Sequence, residues 1–142
     1  MGNVLNVRDR ATRLRDIRAM AGRAMLDGPH DYRVEDLEGP LLDLAVANAT
    51  GLAAVIHLVD NSIAPFFECC VLSERGTLQY QFIPSRFWCQ SGDIIEKEGV
   101  SIIRKGSFWT AECDGSVSTA DAPLLAAMRV VVKKKFGDVV RM

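Results

Sequence analysis

The stretch PSRFWCQSGDIIEKEG (residues 84–99) crowds a hydroxyl, a guanidinium, an indole, a thiol, a carboxamide and several charges around Gly92. Such a mixture suits non-covalent capture of a polar molecule. The Trp88 indole offers a stacking face, Arg86 an anion fork, and the Gln90 carboxamide a paired donor and acceptor. Gly92 admits close approach of a backbone N–H. Elsewhere in the chain, Trp109 adds a second indole, and Arg129 and Lys133 add cations one helical turn apart. The candidate ligand-binding set is therefore Ser85, Arg86, Trp88, Gln90, Gly92, Glu96, Trp109, Arg129 and Lys133. A second arrangement stays open, in which both tryptophans are core aromatics and Arg129 pairs with Glu96 or Asp43.

Bond-making chemistry is much less well supplied. The chain has two histidines, and it contains no G-x-S-x-G, H-E-x-x-H or G-x-x-x-x-G-K-[ST] motif and no clustered set of carboxylates. A Cys89 nucleophile served by His57 would need a meeting that no spacing suggests. No catalytic residue, cofactor or metal is therefore expected. Cys69, Cys70, Cys89 and Cys113 include no C-x-x-C pair and lie near no closely spaced histidines. Adjacent Cys69 and Cys70 on a strand point to opposite faces, so the expectation is four free thiols, reduced in the core and without stoichiometric zinc.

These residues must be held by a core, and 49% hydrophobic with 25% charged residues in 142 is enough to build one. In LEGPLLDLAVANATGL (37–52) the pattern predicts a helix with Pro40 in its first turn and Gly51 at its C-terminal end. Leu41, Leu42, Ala45, Val46 and Ala49 make its buried face; Asp43, Ala47 and Thr50 fall opposite. AAVIHLV then reads as a buried strand with His57 in its middle, a position where histidine is usually a satisfied core residue. FFECCVLS and TLQYQFI flank Glu74-Arg75-Gly76 as one hairpin, and VSIIRKGSFWTAEC folds over Arg104 to Ser107 as another. Between them, residues 93–98 form a short helix capped by Ser91 and stopped by Gly99. The last helix runs through PLLAAMRVVVKKKF, with Asp121 near its cap, a seam of Leu125, Met128, Val132 and Phe136, and Gly137 past its end.

The charge is unevenly spread. Residues 1–26 hold six arginines against two aspartates, while the remainder is acidic. Leu14, Ile17, Ala21, Ala24 and Met25 recur there at helical spacing, and DGPHD (27–31) reads as a linker. This predicts an arginine-rich helical arm over 1–30 and a separate domain over 31–142. Nucleic-acid binding through the arm is disfavoured, because aspartates dilute its charge and no aromatics are interleaved for base stacking. No apolar run reaches the length of a membrane span and no signal peptide is recognisable, so a cytoplasmic location is expected.

Three segments together resemble the NinX family of accessory proteins of lambdoid phages and prophages. Gly39, Leu42, Asp43, Ala45, Val46 and Ala47 match the opening of that pattern; Trp88, Gln90, Gly92, Ile94, Ile95 and Glu96 its centre; Ala126, Ala127, Met128, Arg129, Gly137 and Asp138 its last helix. The chain departs from it at Leu44, where the family often has tryptophan, at Ser91, often glycine, and at Asp93, often proline. Residues 1–30 lie outside the pattern. The resemblance implies a phage or prophage origin, a bacterial host cell as the setting and an α+β domain, but no biochemical role.

The expected architecture is α+β: an antiparallel sheet of two hairpins plus a buried strand, packed by two main helices, with the arginine-rich helix in front. The expected function is non-enzymatic binding or sequestration of a small, nucleotide-like ligand in a host-interaction or counter-defence role. The alternative is a protein-interaction module that contacts a host factor or a second copy of the chain.

Overall fold

A computed structural model describes residues 29–60 and 63–142. The expected arginine-rich helix therefore lies outside the described residues. Strand β1 (Asp31–Arg33) leads through a 3₁₀ turn (Val34–Asp36) into α1 (Gly39–Thr50). Strands β2 (Ala54–Val59), β3 (Phe66–Leu72) and β4 (Leu78–Gln81) follow, then α2 (Trp88–Glu98). The chain continues with β5 (Ser101–Lys105), β6 (Phe108–Cys113), β7 (Ser116–Ala120), α3 (Pro123–Phe136) and β8 (Val139–Arg141). The class is α+β, as expected. The expected single sheet, however, is three antiparallel ones: β1–β8, β2–β3–β4 and β5–β6–β7.

The reason for the division lies in α3. Leu124, Ala126, Ala127, Met128, Val130, Val131 and Val132 are all buried, so this helix is apolar on nearly every side rather than along one stripe. Such a helix must be covered from more than one direction. It packs against β5, β6 and β7 on one side and against α1 on another, while α1 in turn covers β2 and β3. The two three-stranded sheets thus sit on opposite sides of a helix pair. The predicted α3 seam holds at Met128 and Val132, whereas Leu125 is half-buried and Phe136 exposed.

Local signals end the first two helices. Gly51 and Gly99 take left-handed φ of 80° and 69°. Leu52 N–H reaches back to the Ala47 carbonyl, and Val100 N–H to that of Ile95. These are paired Schellman closures, which a β-carbon at either glycine would strain. The third strand of the β5–β6–β7 sheet was missed in the sequence, although its signal is there. Asp114-Gly115 is a two-residue hairpin turn with φ of 47° and 84°, and it sends β6 back as β7.

The β1–β8 ribbon closes the fold, because His30 N–H donates to the Met142 carbonyl at 2.7 Å and Met142 N–H returns to His30 at 3.0 Å. The described fold thus begins at residue 30. A variant lacking residues 1–28 is expected to melt cooperatively within about 4 °C of the full chain, the equivalent of roughly 1 kcal/mol. Loss of the cooperative transition would show that the removed residues complete the core.

Candidate functional site

The helix carrying the crowded stretch starts earlier than its sequence suggests. Ser91 does not cap it. The N–H groups of Gln90 and Ser91 both reach the Phe87 carbonyl at 3.1 Å, so the first turn forms around Trp88. The Ser91 hydroxyl, fully buried, donates back to the same carbonyl at 3.1 Å. At the other end, the Cys113 thiol donates to the Glu98 carbonyl at 3.1 Å and occupies one of the helix's otherwise unpaired acceptors.

Starting at Trp88 sets which face of α2 looks across to β4. Gln90, Asp93, Ile94 and Lys97 recur at i, i+3, i+4 and i+7, one helical face. With Cys89 and Glu98 they form one wall of an open cleft of about 360 Å³. Tyr80 and Phe82, from β4 and just past it, also line the cleft, as do Thr50 and Leu52 at the end of α1. Gln90 also builds the cleft: its carboxamide oxygen accepts from Ile83 N–H at 2.5 Å and its amide donates to the Gln81 carbonyl at 2.7 Å. One side chain so ties the end of β4 to the first turn of α2. Glu98 is drawn toward Lys134 at 3.1 Å, which leaves Asp93 and Lys97 as the exposed charges on the wall.

Of the nine residues proposed from sequence, Gln90 lines this cleft and the others lie elsewhere. Arg86, Trp88, Gly92 and Glu96 are exposed along α2 and the turn before it. Gly92 sits mid-helix without a positive φ. Ser85 is buried, and its N–H donates to Asp43 Oδ1 at 2.9 Å. Trp109 is half-buried on β6, with the Arg104 guanidinium 5.9 Å from its ring centre. Arg129 makes neither of the ion pairs considered above; its Nε donates to the Leu37 carbonyl at 2.8 Å. Lys133 meets Glu35 at 3.2 Å, Asp138 at 3.3 Å and the Val117 carbonyl at 3.0 Å, so it fastens α3 to the 3₁₀ turn and β7. The structure thus disperses the set: Gln90 lines the cleft, Arg129 and Lys133 are tethers on α3, and the other six lie outside both.

Asp43 is the largest departure from expectation. Sequence spacing placed it on the outer face of α1, yet it is 1% exposed. Burial pushes its carboxyl up to about 6, opposed by the Ser85 N–H and by the charge of Arg86. Tyr80, Phe82, Asp93 and Lys97 were also missed as site residues. The alternation of Leu78, Tyr80 and Phe82 with glutamines and the spacing from Gln90 to Lys97 were the signals available.

The thiols divide by environment. Cys69, Cys70 and Cys113 are buried, whereas Cys89 is exposed at the cleft, against the expectation of a core thiol. Burial raises Cys69 to about 12 and Cys70 to about 11, so in the metal-free fold both stay protonated and poorly nucleophilic. His57 lies on β2 against Glu68, on a different element from Cys89.

A family model described as Bacteriophage P22, NinX matches residues 33–135, from the end of β1 to the last turn of α3. No curated protein matches the chain. Among the described residues, the matched span contains α1, α2, both three-stranded sheets and α3 up to Lys135. On that match, the chain belongs to the NinX family of phage proteins.

Proposed function

We propose that this phage accessory protein binds a small, planar, polar molecule of nucleotide-like class in the cleft between β4 and α2. The observation that carries this reading is the cleft's lining: Tyr80 and Phe82 share about 360 Å³ with Gln90, Asp93 and Lys97. That volume lies in the range of small-molecule sites, and aromatic surface with a few convergent polar groups is their usual chemistry. Tyr80 supplies a stacking surface, Asp93 an acceptor for exocyclic amines, and Lys97 a cation for a phosphate. Sequestration of such a molecule within the host cytoplasm would serve a host-interaction or counter-defence role. No helix among the described residues is long and apolar enough to cross a membrane.

A second reading, protein binding, is favoured by Phe87 and Trp88. These adjacent aromatics are 51% and 56% exposed at the start of α2, a residue type that anchors interfaces. A host factor or a second copy of the chain would be the partner. The two readings use different side chains, so variants separate them.

The test is mass spectrometry of molecules released by heating the purified protein, followed by thermal-shift titration with nucleosides and nucleotides. Asp93→Asn and Lys97→Ala are expected to weaken binding about tenfold each, the loss of one charge-assisted hydrogen bond, with melting unchanged in the absence of ligand. Trp88→Ala is expected to spare ligand binding. Gln90→Ala cannot make the distinction, because it also leaves Ile83 N–H and Gln81 C=O without partners, at a cost of about 1–3 kcal/mol. If nothing is released and no nucleoside or nucleotide shifts the melt, the cleft is not a nucleotide site and the protein-binding reading stands.

A further inference from the structure

We infer that His57, Glu68 and Cys70 form a zinc-binding site on the outer face of the β2–β3 ladder. The strand register makes the case. His57 lies directly opposite Glu68, so their side chains share a face, and Cys70, two residues beyond Glu68, shares it too. Cys69, the residue between, belongs to the core on the other face. The donor atoms are already gathered: His57 Nδ1 is 3.4 Å from Glu68 Oε1, the Cys70 Sγ is 3.3 Å from the same oxygen, and all three lie within 4.8 Å of one another.

The two separations to Glu68 already fit one metal ion, and the third, within 4.8 Å, closes on it by a small side-chain rotation. Zinc bonds of about 2.0–2.3 Å at tetrahedral angles put neighbouring donors about 3.3–3.7 Å apart. Imidazole nitrogen, carboxylate oxygen and thiolate sulfur are each zinc donors, and a mixed nitrogen–sulfur set favours zinc over calcium or magnesium. On binding, the Cys70 S–H bond breaks, the sulfur electron pair becomes the zinc–sulfur bond, and the proton leaves to solvent. Zinc with one carboxylate and one thiolate is then neutral, which suits a partly buried position. His57, with a side chain 40% exposed, opens the fourth position to water or to a partner's ligand. The expectation of zinc-free cysteines rested on the lack of a linear motif, and a site assembled across two strands leaves no such motif.

The full chain, reduced and stripped with chelator, is titrated with cobalt(II) and then with zinc. One cobalt per chain is expected, with intense tetrahedral d–d absorption and a thiolate charge-transfer band that zinc abolishes by displacement. Cys70→Ser should remove the charge-transfer band, and Cys89→Ser should leave it intact. His57→Gln, at a half-exposed position where folding is not at stake, should weaken binding at least about tenfold. Absence of the tetrahedral spectrum, or a band that survives Cys70→Ser or is insensitive to His57→Gln, would overturn the assignment and leave the trio a hydrogen-bonded cluster only.

Discussion

Replacing Met128 with alanine is expected to destabilise the domain by about 2–5 kcal/mol, measured by urea denaturation with an unchanged m-value. Met128 is 0% exposed in the middle of α3, the helix that takes β5–β7 on one side and α1 on another. Truncation removes apolar atoms and opens a cavity between layers that cannot collapse independently, since α3 is fixed at both. Net stabilities of such domains are about 5–15 kcal/mol, so the variant should be marginal at body temperature. Met128→Leu, which conserves volume, should cost less than about 1.5 kcal/mol. A loss below about 1 kcal/mol for Met128→Ala would mean that the layers close over the gap and that α3 does not hold them in fixed positions.

Asp43 is expected to make stability fall as pH rises, and Asp43→Asn to abolish that fall. Its carboxyl titrates near 3.8 when unfolded and near 6 when folded, because burial penalises the charge. Between those values the folded state holds more protons than the unfolded one, so unfolding free energy decreases with pH. The contribution is fully present below about pH 4 and is lost above about pH 6. Two units correspond to about 3 kcal/mol. Asparagine can still accept the Ser85 N–H that Asp43 Oδ1 receives at 2.9 Å, but carries no charge to desolvate. The check is urea denaturation of both proteins from pH 4 to pH 7. The wild type should lose stability relative to Asp43→Asn across that range. Parallel curves would show that the ionised carboxylate is compensated inside the fold.

What could be read from the sequence was what neighbouring residues decide among themselves. The glycines that end α1 and α2, the proline that opens α3 and the two hairpin turns all act over four or five residues, and those ends and turns appear where the signals put them, whereas the start of α2 and strand β7 do not. The α+β class followed from their order. The family pattern was equally legible, since it consists of residue identities and spacings.

Tertiary structure decided everything that depends on which face meets what. Asp43 looked solvent-facing by periodicity, but α1 is covered by α3 on one side and β2–β3 on another, so a stripe rule written for a surface helix does not apply. Arg129 was paired with carboxylates by its charge, whereas the Leu37 carbonyl, 92 positions earlier in the chain, is what packing brought to its Nε. The β1–β8 ribbon joins strands of three residues each, too short to announce themselves. The His57–Glu68–Cys70 cluster and the cleft between β4 and α2 are likewise made by pairing register and helix placement. Residue types and short-range turns are written in the chain. Distances between distant residues exist only after a buried core has fixed the layers, and for that reason the sites had to come from the fold.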